Sequence, residues 1–182
     1  MELSNNLRIR LAEERDLLKI FPLYSDAMHQ LQQKGIDQWD EIYPDEATLS
    51  ADVRSGEMLL LEESGKLVSA AVVNEDQAPE YGEVGWRIRR MEPPAVIHRL
   101  CVCSQSQGRG LGLQTLLAAE QFAFSRGFRY IRLDAFPHNI AAIRLYESAG
   151  YEKAGTVRFP KGIFICYEKN LEVEAAKPEV LK

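Results

Sequence analysis

Three glycines at alternate positions, Gly108, Gly110 and Gly112, stand where a β-rich run gives way to a helix-forming one, in "SQSQGRGLGLQTLL" (Ser104–Leu117). Glycine makes the backbone compliant there. The first turn of a helix presents amide hydrogens with the positive end of the helix dipole behind them. That combination binds anions, and phosphate above all. Spacing then separates the candidates. A dinucleotide-binding loop wants G-x-G-x-x-G near the start of a long parallel sheet, with an acidic residue about twenty positions later. This chain has G-x-G-x-G in mid-sequence, after a hairpin. A P-loop wants Gly-Lys-Ser/Thr at the helix start, and none is present.

Other side chains with reactive chemistry lie near by in the sequence. His98 precedes the glycines on the β-rich run, and a histidine titrates near neutrality. It shares strand parity with Leu100 and Val102, with Arg99 on the opposite side. Asp134 ends a later β-rich run, where it either orients an amine, pairs with Arg132 or caps a turn. Cys101, Cys103 and Cys166 are an odd set without framework spacing, as in a chain with reduced thiols, so a cytoplasmic location is expected. C-x-C without further Cys or His ligands is no metal set, and no metal is expected.

The elements that must position these residues follow from periodicity. "LRIRLA" alternates like a half-buried strand, and Leu17, Ile20, Phe21, Tyr24, Met28 and Leu31 then fall on one helical face. Pro22 is expected to kink that helix and Gly35 to end it. "GIDQWDEIYP" (Gly35–Pro44) reads as a loop, and Asp45 as the N-cap of a short helix. "MLLLEESGKLVSAAVV" reads as a hairpin with a Ser-Gly turn, followed by a long irregular stretch to Pro94. Strand Ala95–Cys103, a helix to about Arg126 and strand Phe128–Phe136 make one β-α-β unit, so those strands should be parallel. Leu113, Leu116, Leu117 and Phe124 are expected on the buried face of that helix. A helix over Asn139–Ala149 and two final strands complete the chain, with 1–170 read as one domain and 171–182 as a polar tail.

The 182 residues carry a net charge of −5 and are 46% hydrophobic, enough for a core. An acidic balance argues against a general nucleic-acid or membrane-surface binder. "MELSNNLRIR" has no apolar signal region, and no stretch approaches a membrane span.

"Gln107-Gly108-Arg109-Gly110-Leu111-Gly112" resembles Q/R-x-x-G-x-G/A, the pyrophosphate-binding motif of the GNAT superfamily of N-acetyltransferases. "NIAAIRLYESAGY" resembles the family's N-x-x-A-x-x-x-Y-x-x-x-G-F/Y segment at Asn139, Ala142, Tyr146, Gly150 and Tyr151. The resemblance covers residues 7 to 169. It implies an α/β (α+β) fold: a mixed, mostly antiparallel central sheet of about seven strands, about four helices on both faces, and a splay between strands 4 and 5. The implied activity is transfer of the acetyl group of acetyl-CoA to a primary amine, by direct attack in a ternary complex. A non-catalytic acyl-CoA-binding regulatory module is the alternative.

By the same resemblance, Gln107, Gly108, Arg109, Gly110, Leu111, Gly112 and Leu113 would bind the cofactor, with the backbone amides from about Arg109 to Leu113 converging on the pyrophosphate. Leu100, Cys101, Val102 and Cys103 would pair with the pantetheine arm like an added strand, and an amide at Cys101 or Val102 would polarise the thioester carbonyl. Tyr146 matches the proton donor to the departing sulfur, or is core. Asn139 contacts the pantetheine arm or caps its helix. His98 stands where family members often have a glutamate base. A nucleophilic Cys101 or Cys103 lacks an evident His-Asp relay. The acceptor would meet Trp39, Tyr43 and Trp86. Acids at Asp37, Asp40, Glu41, Asp45 and Glu46 either attract a cationic amine or form a solvated capping cluster. The acceptor class, small molecule or peptide, is left open by the sequence, as is a homodimer.

Overall fold

The computed structural model describes residues 6–40 and 42–171; Glu41 and the expected 171–182 tail beyond Leu171 lie outside that range, and Leu171 itself is buried, its N–H donating to Arg129 O. Seven strands form one sheet: β1 (Leu7–Leu11), β2 (Met58–Glu63), β3 (Lys66–Asn74), β4 (Ala95–Val102), β5 (Tyr130–Ala135), β6 (Glu152–Phe159) and β7 (Gly162–Asn170). Their order is β1-β2-β3-β4-β5-β7-β6. Four α-helices accompany them: α1 (Leu17–Gln33), α2 (Glu46–Arg54), α3 (Leu111–Ser125) and α4 (Ile140–Ser148). β4 and β5 are parallel as expected, through a ladder of Ala95↔Ile131 and Val96↔Arg132. The pairs β1–β2, β2–β3, β5–β7 and β6–β7 are antiparallel.

Local chemistry explains most boundaries. α1 runs unbroken through Pro22 and ends at Gly35, whose φ of +69° closes a Schellman turn: Gly35 N–H donates to Gln32 and Ile36 N–H to Leu31. The Asp45 carboxylate accepts from Thr48 N–H at 2.8 Å and caps α2. Ser64 and Gly65 both have positive φ, the tight turn a two-residue hairpin requires.

The described chain forms two compact units. The first comprises the chain up to Asn74 with Ile97–Ala119; the second comprises Glu75–Val96 with the chain from Glu120. In the first unit, one face of β2 and β3 packs Met58, Leu60, Ala70 and Val72 against Ile20, Leu23 and Tyr24 of α1 and Leu49 and Val53 of α2. On the other face, Leu61 and Val68 meet Leu111 at the start of α3. The second unit holds an aromatic cluster of Tyr81, Trp86, Phe159, Phe164 and Phe136.

Two expectations are corrected. Leu113 and Phe124 lie exposed on α3, and its buried positions include Leu111, Thr115, Leu116, Ala119 and Ala123. The helix is apolar on nearly every side, so periodicity alone does not choose its inner face. The parity argument along β4 also fails. Arg99 has φ of +52°, in the left-handed region, so strict two-residue alternation does not run through it.

Candidate active site

The first unit carries the glycine loop. A short turn, Ser104–Ser106, leads from β4 and is pinned by Asp26 of α1, which accepts from Ser104 N–H at 2.7 Å and Ser104 Oγ at 2.8 Å. Gln107 donates from Nε2 to Val102 O at 3.3 Å and accepts from Lys34 Nζ at 3.3 Å. Gly108 and Gly110 have φ of +74° and +79°. A Cβ at either would meet nothing within 4 Å, so conformation rather than crowding asks for glycine. α3 begins at Leu111, and Gln114 N–H makes the bond back to Gly110 O. The amides of Leu111, Gly112 and Leu113 lie before that bond, in the first turn, where a helix has no carbonyl of its own to offer them. Arg109 forms a fork with Glu63 at 2.9 and 2.6 Å.

β4 of this unit is held by side chains from three directions. Ser69 Oγ donates to Cys101 O at 2.6 Å, and Thr115 Oγ1 of α3 donates to Ser69 Oγ at 2.8 Å. Tyr24 O–H donates to Arg99 O at 2.8 Å. The Arg99 guanidinium reaches Asp52 at 2.9 and 2.7 Å and Tyr43 Oη at 2.6 Å. Cys101 is buried, and loss of solvent pushes its thiol up to about 12, which disfavours a thiolate.

His98 is half-buried, with Nε2 2.9 Å from Asn74 Oδ1, while Asn74 Nδ2 donates to Glu57 Oε2 at 3.0 Å. A carboxylate only accepts, so Glu57 turns the Asn74 carbonyl toward the imidazole, and Nε2 carries the hydrogen.

The proposed acceptor residues of this unit differ in exposure. Trp39 is 5% exposed, inside the core cluster with its ring 5.9 Å from Tyr24. Tyr43 is 44% exposed. Asp40 accepts from the amides of Ile42 and Tyr43, and Asp45 caps α2, so both carboxylates are engaged in local structure.

The second unit carries Tyr146, Asp134, Asn139 and Trp86. Tyr146 is buried on α4, with Tyr151 and Tyr167 ring centroids at 5.9 and 6.1 Å. Burial first, then the Asp134 charge, raises its phenol above the ordinary value, so it is protonated at neutral pH. Asp134 accepts from Tyr81 O–H at 2.6 Å, and desolvation raises its carboxyl despite that bond. It does not pair with Arg132, which donates to Gln77 at 2.7 Å and lies 4.1 Å over the Trp86 ring. Trp86 is 7% exposed, and its indole N–H donates to Tyr81 O at 2.9 Å. Asn139 caps α4, accepting from Ala142 N–H at 3.2 Å. Among the described residues no group of three or more His, Cys, Asp or Glu is placed to hold a metal ion, and no helix is long and apolar enough to cross a membrane.

The profile of the acetyltransferase (GNAT) family matches residues 18–151. The chain belongs to this family. It is 35% identical over 80 residues to the aminoglycoside N(6')-acetyltransferase type 1 of Klebsiella pneumoniae, covering 43% of this chain and 40% of that protein. Matches of this kind span about half or less of the curated relatives' own length. A GNAT acetyltransferase structure from Streptococcus agalactiae superposes with a TM-score of 0.82 at 23% identity, covering 92% of this chain and 97% of that one. A putative acetyltransferase from Salmonella typhimurium, solved with its cofactor acetyl-CoA, gives a TM-score of 0.69 at 21% identity, covering 97% of this chain and 100% of the other.

Several partners escaped the sequence reading. Asp52 carried a signal: it stands between Leu49 and Val53 on the inner face of α2, and a carboxylate there needs a cation. Asp26, beside the buried Leu23 and Ala27, carried a related one: a half-buried carboxylate needs donors, which Ser104 supplies. Asn74 and Glu57 carried none, because their link to His98 is made across strands.

Proposed function

We propose that the protein transfers the acetyl group of acetyl-CoA to a primary amine by direct attack in a ternary complex. The observation that carries this reading is the pair of glycines with positive φ immediately before α3, in a chain of the GNAT family. The amides of Arg109 to Leu113 bind the pyrophosphate, and β4 from Leu100 to Cys103 pairs with the pantetheine amides. The Salmonella relative's cofactor supports the choice of nucleotide.

A neutral amine nitrogen attacks the thioester carbon, the carbon–sulfur bond breaks, and the sulfur leaves as thiolate. An amide near Cys101 polarises the carbonyl. His98 takes the amine proton, with Nε2 held by Asn74. The Tyr146 hydroxyl, more weakly acidic than a thiol, donates a hydrogen bond to the thiolate. Asp134 orients the amine, and Tyr43, the most exposed of the three aromatic side chains, stands on the acceptor side, with Trp39 and Trp86 buried behind the surface. A cationic small-molecule amine is the acceptor class, supported by the resemblance to the Klebsiella enzyme.

Calorimetric titration with acetyl-CoA, CoA, NAD and ATP tests the cofactor. Selective binding of the first two is expected; binding of neither to folded protein overturns the reading. Thiol release with an aminoglycoside, a polyamine and a lysine peptide then tests catalysis. Tight acetyl-CoA binding with no release from any amine would favour the regulatory module.

A further inference from the structure

Arg99 is a residue with a side chain in a backbone conformation that L-residues avoid, in the middle of a strand, and it is held there from every side. Its φ is +52°. Its carbonyl accepts from Tyr24 O–H at 2.8 Å. Its guanidinium forks onto Asp52 at 2.9 and 2.7 Å, with the two side chains only 9% and 8% exposed. Its third contact, to Tyr43 Oη at 2.6 Å, comes from the loop before α2. A left-handed residue persists only where its surroundings over-determine it, and such residues concentrate at functional sites. A left-handed residue inside a strand breaks the regular alternation and re-aims the groups that follow it. Here those are the amides of Leu100 and Cys101.

We propose that Arg99 is a positioning residue: Asp52, Tyr24 and Tyr43 lock its left-handed conformation so that the next amides of β4 point at the thioester carbonyl. This rests on the reading of β4 as the acetyl-CoA strand. The lock polarises the carbonyl without Arg99 touching it.

The test is infrared difference spectroscopy of acetyl-CoA, carbon-13 labelled at the carbonyl and bound to the whole protein, beside calorimetry. Wild-type protein should bind acetyl-CoA and lower its carbonyl stretching frequency relative to solution. Arg99→Ala should keep affinity within about threefold while losing that shift. Arg99→Gly, which adopts positive φ without strain, should keep part of it. Asp52→Asn should fall between wild type and Arg99→Ala, and serves in its place if that variant does not fold. A full shift in folded Arg99→Ala and Asp52→Asn overturns the lock alone, as does wild-type binding without a shift. Failure of wild type to bind acetyl-CoA overturns the reading of the strand and the lock with it.

Discussion

A tyrosine asked to help a leaving thiolate must be protonated when the sulfur departs. Burial and the neighbouring Asp134 both hold the Tyr146 phenol above its ordinary value, so it meets that condition across the physiological range. A phenol is a weaker acid than a thiol, so Tyr146 serves by donating a hydrogen bond to the charge rather than by giving up its proton completely. Tyr146→Phe keeps the ring packed against Tyr151 and Tyr167 and removes only the donor. Turnover should fall about ten- to a hundredfold while acetyl-CoA affinity stays within about twofold. Steady-state kinetics beside calorimetry separates the two. Equal turnover would leave the residue as core, or show that chemistry is not rate-limiting.

At the scale of elements, the glycine loop is a conformational device. Gly110 sits at φ of +79° with open space where a Cβ would be. Gly110→Glu therefore adds backbone strain and a negative charge where the anion is proposed to sit. Acetyl-CoA affinity should drop by more than about a hundredfold, measured by calorimetry, with the fold retained by circular dichroism. The corner between β1 and α1 gives a prediction about stability. Asp16 accepts from Arg10 at 2.6 and 2.7 Å and from Glu13 N–H at 2.8 Å, and the Arg10 hydrogen bonds lower its carboxyl to about 2. Its native value lies below its unfolded one, so the stabilisation is present above about pH 4 and is lost as pH falls through about 2. Asp16→Asn should cost about 1 kcal/mol at pH 7, less in acid, and flatten the urea midpoint between pH 4 and 2. Caps, turns and the two motifs were legible in the sequence because each is a local pattern: Asp45 before α2, Gly35 after α1, Ser64-Gly65 between strands. The left-handed Arg99, the burial of Trp39 and the outward Leu113 and Phe124 were not, because each is set by partners distant in the chain. Asp52, Tyr24 and Tyr43 hold Arg99 from 47 to 75 residues away.

At the scale of the whole molecule, charge bears on the acceptor. The chain has 27 acidic and 22 basic side chains, a net charge of −5. Asp40 and Asp45 are committed to a turn and a cap, and the summed field of the chain adds an attraction for a cation that no single carboxylate has to supply. Such a field steers an approaching polycation and weakens as salt shortens the Debye length from about 30 Å at 0.01 M to about 8 Å at 0.15 M. With an aminoglycoside carrying several ammonium groups, the apparent KM should rise about three- to tenfold between those salt concentrations, with kcat nearly unchanged. A monoamine such as ethanolamine should respond much less, because each added charge adds to the attraction. A KM for the aminoglycoside indifferent to salt would mean that contacts inside the pocket choose the acceptor. It would remove the argument for a polycationic substrate while leaving the acetyl-CoA chemistry untouched.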